Sequence, residues 1–204
     1  MTQHRFALPK IISGGQSGAD QGALFAAREM GFETGGWAPR GFFTENGYQP
    51  ALLESFGLKD SQLDYIGRTK LNAKEADLTI WFGKTGTPGF NATNKAVREA
   101  GKKFLLASEH CDRCLVTEIK TCGIVNIAGN RESINPSIFQ YTKDRMTRVL
   151  RMVKEKTMTK CMFPGCEKEA TINVTTPDGK THSYCSIDHM NDHRNILVHE
   201  LMKK

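Results

Sequence analysis

Seven residues, GGQSGAD at positions 14–20, carry the chemistry most legible in this chain. Gly14, Gly15 and Gly18 are interleaved with Gln16, Ser17, Ala19 and Asp20. The run follows Ile11 and Ile12 and precedes an Ala/Leu-rich stretch ending near Met30, so it reads as strand, tight turn and helix. Glycines let a backbone approach a ligand closely, and the first turn of a helix has N–H groups with no intrahelical partner. Such a turn can hold an anion. Ser17 and Asp20 have the spacing of a capping box with Asp in place of Glu, and the same pair could touch a ligand. The spacing is neither G-x-G-x-x-G nor G-x-x-x-x-G-K-[ST], which argues against a dinucleotide fold or a P-loop NTPase. On this reading Gly15→Val removes ligand binding and leaves the domain folded.

Two further strands end in polar turns. DLTIWF (77–82) empties into GKTGTPGFNAT, which offers Gly83, Thr85, Gly86, Thr87 and Thr93. IVNIA (124–128) ends in Gly129, Asn130, Arg131, Glu132 and Ser133. Open α/β sheets bind ligands at the carboxyl ends of their strands, so these three turns are expected to converge on one edge of a parallel sheet. Between them, WAPRGFFTENGYQPALLESFGL lacks periodicity, yet Trp37, Phe42 and Phe43 argue against disorder. It is expected to lie over the glycine turn, with Arg40 offered to an anion and Trp37 to a flat ring. Asp20 and Glu132 are the only candidate acid/base pair for catalysis, and no nucleophile–His–carboxylate arrangement stands out.

The elements that must position these residues follow from hydrophobic periodicity. Strands are expected at 11–12, 32–36, 77–82, 103–107 and 124–128. Helices are expected after the glycine turn and at 68–76, 94–100, 109–121 and 139–157. The last carries Phe139, Met146, Val149, Leu150 and Val153 on one stripe. Beyond Met158 the composition changes to Cys, Gly, Pro and His, which sets the domains at 1–158 and 159–204. The fold class is therefore α/β, a parallel sheet flanked by helices, with a small C-terminal zinc-binding module.

That module rests on Cys161 and Cys166 flanking a Pro-Gly turn, then Cys185 and His189 at i and i+4. Between the pairs, TINVTTPDGKTHSY reads as a β-hairpin turning at Asp178-Gly179. Knuckle, hairpin and helix suit a tetrahedral Cys₃His zinc site, with His182 and His193 as alternative fourth ligands. Four protein ligands would make the zinc structural, and a segment this short needs such support to fold. Cys111, Cys114 and Cys122, with His110 nearby, could suggest a second metal site. Their helical spacing favours buried cysteines of the core instead.

Composition narrows the rest. With 39% hydrophobic and 25% charged residues the chain matches an ordinary globule. It has no apolar run near the ~20 residues of a membrane span and no signal-peptide core. A cytoplasmic location is expected, with its cysteines as thiols or metal ligands. The net charge of +6 is concentrated at 141–158, where Lys143, Arg145, Arg148, Arg151, Lys154 and Lys156 face only Asp144 and Glu155. A solvated helix face is the simpler explanation, a polyanion-binding surface the sharper one. The tail from Lys160 is charge-neutral and lacks interleaved aromatics, which disfavours a nucleic-acid module.

GGQSGADQGAL, GGWAPRGFFTENG, the Asn72–Gly83 stretch and NIAGNRES, in that order, resemble the molybdenum-cofactor carrier family. Its members are circularly permuted relatives of the Rossmann-like superfamily that includes the lysine-decarboxylase-like phosphoribohydrolases. The resemblance spans roughly residues 10–150. It implies a Rossmann-like fold, a homo-oligomer (dimer or tetramer), and a pocket for a phosphorylated pterin or nucleotide. It places binding at 14–20, 37–41, 83–93 and 129–133. The phosphoribohydrolase signature P-G-G-x-G-T-x-x-E is absent, which weakens an enzymatic reading. The expected function is non-catalytic carriage of a small phosphorylated ligand, molybdenum cofactor or nucleotide. A nucleotide hydrolase is the alternative.

Overall fold

A computed structural model describes residues 8–155, the backbone of 172–175 and 181–184, and residues 190–191. The chain divides into two compact units, Met1–Lys154 and Glu155–Lys204. In the first, β1 (Lys10–Ser13) leads through the glycine turn into α1 (Ala19–Glu29) and then β2 (Thr34–Ala38). A 3-10 turn at Arg40–Phe42, the small hairpin of β3 (Phe43–Thr44) and β4 (Gly47–Tyr48), and α2 (Pro50–Ser55) fill the path to β5 (Leu58–Asp60). There follow α3 (Tyr65–Glu75), β6 (Leu78–Phe82), α4 (Pro88–Glu99), β7 (Lys103–Leu106), α5 (Asp112–Lys120), β8 (Ile124–Gly129) and α6 (Ile138–Lys154).

Six strands make one parallel sheet in the order β5-β2-β1-β8-β6-β7. Parallel pairing requires long crossovers, and helices supply them on both faces. α1, α5 and α6 pack together on one face, and α3 and α4 on the other. The larger core joins Ile11, Leu78, Ile80, Phe82, Val125 and Ile127 of the sheet to Ala23, Leu115, Ile119, Met146, Val149 and Leu150 of the helices. β6 is buried at every position, apolar throughout except for Thr79. α1 lies so close to α6 that a Cβ on Gly22 would stand 2.4 Å from the Phe139 carbonyl oxygen. The chain leaves β1 toward β2 on one side, while β8 returns to pair with β1 on the other. That reversal opens a crevice at the carboxyl ends of β1 and β8.

The expected strands and helices are present, with shifted ends. Helix α3 begins at Tyr65 rather than 68, because Asp64 caps it by accepting a 2.7 Å hydrogen bond from the Gly67 N–H. Helix α4 begins at Pro88 rather than 94. Thr87 caps it and the proline sits in the first turn, where its missing N–H costs nothing. β5 was not expected: only Leu58 of its three residues is buried, too little for a readable pattern. The aromatic connection is ordered, as expected, by Phe42, Leu53 and Phe56 packing with Leu24 and Leu58.

In the second unit β9 (Ile172–Thr175) and β10 (Thr181–Tyr184) pair antiparallel, Thr181 opposite Thr175 and Tyr184 opposite Ile172. This is the hairpin expected from the sequence. Its turn lies outside the described residues, as do Cys161, Cys166, Cys185, His189 and His193. No helix among the described residues is long and apolar enough to cross a membrane.

Candidate functional site

A cavity of about 420 Å³ opens at the carboxyl ends of the central strands. Its floor is Gln16 and Asp20 of the glycine turn and α1, with Trp81, Ala128 and Gly129 from the ends of β6 and β8. One wall is α3, through Tyr65, Ile66, Arg68 and Thr69. The other is the start of α4, through Thr87, Pro88, Gly89, Ala92 and Thr93. Asn130, Arg131 and Ile134 close the rim. The volume falls within the usual range for small-molecule sites.

Asp20 and Arg68 dominate the electrostatics. Asp20 is 2% exposed, and its carboxylate lies 3.3 Å from the Arg68 guanidinium. Burial pushes the Asp20 carboxyl above its ordinary range, although the Arg68 charge and the Gln16 N–H pull the other way. Arg68 can enter only because residue 14 has no side chain: a Cβ there would fall 1.2 Å from an Arg68 nitrogen. Two buried donors on this floor are unpaired among the described residues, Nε2 of Gln16 and Nε of Arg68. An unmet buried donor is costly, and both residues line the cavity.

The glycine turn differs from the expected anion cradle. The Gln16 N–H donates to Asp20, and the Ser17 N–H donates to the Gln16 side-chain oxygen. The Ala19 N–H donates to the Asn130 carbonyl and that of Gln21 to the Gln16 carbonyl. An internal carboxylate and carbonyls thus take the donors meant for a ligand. The capping box does not form either: Gly18 is the cap residue without a side-chain bond, and the Ser17 hydroxyl donates to Glu45. Gly18 has φ +86°, and a Cβ there would meet the Asn130 carbonyl at 2.5 Å, so this loop lies directly on the loop after β8. Gly15 turns away from the cavity. It has φ +73°, and a Cβ would stand 2.6 Å from Leu58. Gly15→Val therefore strains the core, and it does not serve as the clean ligand probe expected.

The other sequence candidates divide by placement. Gln16, Asp20, Thr87, Thr93, Gly129 and Arg131 share the cavity. Gly83 borders a second, more open hollow of about 440 Å³ on the α6 side, and a Cβ there would meet the Asn130 amide oxygen at 2.3 Å. Thr85 and Gly86 are exposed and do not line the cavity. Trp37 is also elsewhere: its indole N–H donates to Glu75 at 2.7 Å, and its backbone is gripped at both ends by the Asn72 amide. Arg40 spends its guanidinium on the Gln62 carbonyl, at 2.8 and 3.0 Å. Glu132 accepts from the Ser137 N–H and from the Phe139 N–H at 3.0 Å, at the start of α6. The expected acid/base pair with Asp20 is not assembled.

Sequence reasoning missed Arg68, Tyr65 and Glu45, and it placed Asn130 in a binding turn without its linking role. An arginine near the start of a helix opposes the helix dipole, which is a readable sign that it answers a carboxylate elsewhere. Asn130 is the hub of the loops. Its amide accepts from the Lys84 N–H at 2.6 Å and donates to the Thr87 hydroxyl at 3.2 Å, while its own N–H donates to the Phe82 carbonyl. Glu45 accepts from both the Ser17 and Ser133 hydroxyls, tying the β3–β4 hairpin to two site loops. Partial burial would raise its carboxyl, but those hydrogen bonds and the Arg131 charge hold it below the ordinary value. No local pattern announces that contact.

Every element around the cavity lies within residues 11–150, the span matched by a single family model. The chain belongs to the circularly permutated YpsA SLOG family. A solved structure from Syntrophus aciditrophicus SB, named a "putative molybdenum carrier protein", is similar to this SLOG chain at 32% identity. The likeness has a TM-score of 0.60 and covers 71% of this chain and 95% of that one. No match was found among curated proteins. The family match supports the molybdenum carrier-like, Rossmann-like expectation for the first unit, and the second unit lies outside it. Among the described residues no three His, Cys, Asp or Glu side chains lie grouped as metal ligands, Cys111, Cys114, Cys122 and His110 included.

Proposed function

We propose that this SLOG-family chain binds and carries a small phosphorylated ligand with a flat ring, of the molybdenum-cofactor or nucleotide class, without turning it over. One observation carries the reading: Arg68 and Gln16, each with a buried donor that the described residues leave unpaired, line the 420 Å³ cavity. The first turn of α4 and the exposed Arg131 would add the positive end of a helix and a second guanidinium for phosphate. Tyr65, which has Arg131 5.0 Å from its ring centroid, takes the stacking role first given to Trp37. The name of the similar Syntrophus structure supports the molybdenum side of this reading.

Thermal-shift screening of nucleotides and pterins tests it. A ligand at a hundred times its Kd adds about 2.7 kcal/mol of stability. The Asp20→Asn/Arg68→Met pair removes both buried charges together and should abolish that shift. A full shift retained in this variant would move the ligand elsewhere. Against the hydrolase alternative, Glu132 accepts hydrogen bonds at the start of α6 and is not among the cavity-lining residues. Turnover of a nucleoside monophosphate that Asp20→Asn abolishes would restore it.

Two further parts of the proposal concern assembly and zinc. Ile66 and Ile134 are exposed at the cavity rim, which supports cover by ligand or by a second copy in a dimer or tetramer. The β9–β10 hairpin supports the zinc module, to be held by Cys161, Cys166, Cys185 and His189.

A further inference from the structure

Cys111 and Cys114 are not core residues. Both thiols are exposed, on a helix start that neither the ligand cavity nor the zinc proposal uses. Cys111 is the cap residue of α5, in extended conformation at φ −70° and ψ 161°, and its sulfur accepts the Cys114 N–H at 3.1 Å. The sequence is Cys-Asp-Arg-Cys, set between β7 and β8 of a βαβ unit. That spacing at a helix N-terminus brings two thiols together where a thiolate is stabilised.

The support is rigid. Arg145, 8% exposed on α6, donates to the Ala107 carbonyl at 2.7 Å, to the His110 carbonyl, and to Asp112 at 2.9 Å. It thus fixes the segment on both sides of Cys111. Asp112, the one carboxylate beside the thiols in sequence, is also paired with Arg148 at 3.2 Å, which mutes its repulsion of a thiolate.

We infer that Cys111 and Cys114 form a dithiol site that exchanges reversibly with small-molecule disulfides. In the first step the Cys111 thiolate attacks one sulfur of R–S–S–R, forming Cys111–S–S–R and releasing RS⁻. Cys114 then gives up its proton and attacks the Cys111 sulfur, closing the 111–114 disulfide and releasing the second RS⁻. The two protons lost by the protein thiols end on two RSH molecules. Two electrons pass from the dithiol to the small disulfide. The division of roles follows the hydrogen bonds: the Cys114 thiol and N–H lower the Cys111 thiol below its usual range, and the same contact raises Cys114. Cys122 is an internal control. Burial raises its thiol, which donates to the Glu118 carbonyl at 3.2 Å.

The full-length protein is incubated with glutathione disulfide, quenched in acid, alkylated and cut after lysine, so that peptide 104–120 carries Cys111 and Cys114 alone. The expected product is this peptide two hydrogens lighter, restored by reduction. Cys114→Ser should stall as a glutathione adduct on Cys111, and Cys111→Ser should react about tenfold more slowly. Serine is itself a good cap, so Cys111→Ser keeps α5, and an unchanged melting temperature confirms it. Two free thiols after prolonged exposure, or independent adducts on both cysteines, would overturn the inference. So would alkylation of Cys111 no faster than that of Cys122.

Discussion

Asp20 shows how one residue can hold two readings that only burial separates. In sequence it is a helix-start carboxylate, placed where the dipole favours a negative charge. In the structure burial outweighs both that and Arg68, so its folded-state carboxyl binds a proton more tightly than in the unfolded chain. Between the unfolded value and the raised folded one, the native state holds a proton the unfolded state has lost. Stability therefore falls as pH rises through that window, and above it the ionised carboxylate is a standing cost. Asp20→Asn keeps an acceptor for the Gln16 N–H and removes the charge. The variant is expected to melt higher than the wild type at pH 7, with the gap closing on acidification toward the ordinary carboxylate range. Melting curves across pH check this, and a constant gap would remove burial as the cause. Arg68 was less legible than Asp20, since nothing local says which cavity a helical side chain enters.

At the scale of elements, the site is three loops held by side chains of their neighbours. Asn130 joins the loop after β8 to the loop after β6 and to the cap of α4. Asn130→Ala leaves the Lys84 N–H unpaired and the Thr87 hydroxyl one partner short, at an expected cost of about 2 kcal/mol. Thr87→Ala, which removes the cap and the Asn130 amide's acceptor but leaves the Lys84 N–H paired, should cost about 1 kcal/mol. Denaturant unfolding gives both values, and hydrogen exchange should show the Lys84 amide deprotected in Asn130→Ala. Equal, small losses would mean that Asn130 does not link the loops. Elements were also where the sequence read well. The stretch expected to end near Met30 gave a helix closing at Glu29, with Gly31 at φ +71° just beyond, and the LTIWF part of the DLTIWF run became the fully buried β6. Both signals are local. β5 failed for the converse reason, as an edge strand of three residues buries too little to leave a pattern.

At the scale of the whole molecule, several of the positive charges near α6 have partners within the chain. Lys143 pairs with Glu29, Arg145 is buried against Asp112, Arg148 pairs with Asp112, and Lys154 donates to the Met30 carbonyl. Two carboxylates, Glu29 and Asp112, thus offset part of the charge a polyanion-binding face on this helix would use. The ligand site is lined by residues of the first unit and the proposed zinc module belongs to the second, and chelation tests the module. A strong chelator should remove stoichiometric zinc, measured by elemental analysis, and erase the exchange protection of the β9–β10 hairpin. The melting of the α/β unit should not change; zinc-free protein with the hairpin still protected would refute a structural metal. Local chemistry written in the chain determined the order of strands and helices, the breaks between them, and the edge of the sheet where a cavity would form. Hydrophobic period and glycine or proline placement act over a few residues, so they survive in one dimension. Only the packed structure decided which polar groups meet there: Arg68 crossing over a bare Gly14, Glu132 drawn off to cap α6, Glu45 pinning two distant serines. Those outcomes depend on helix phase, docking angle and what is left buried without a partner, none of which exists until the chain has folded.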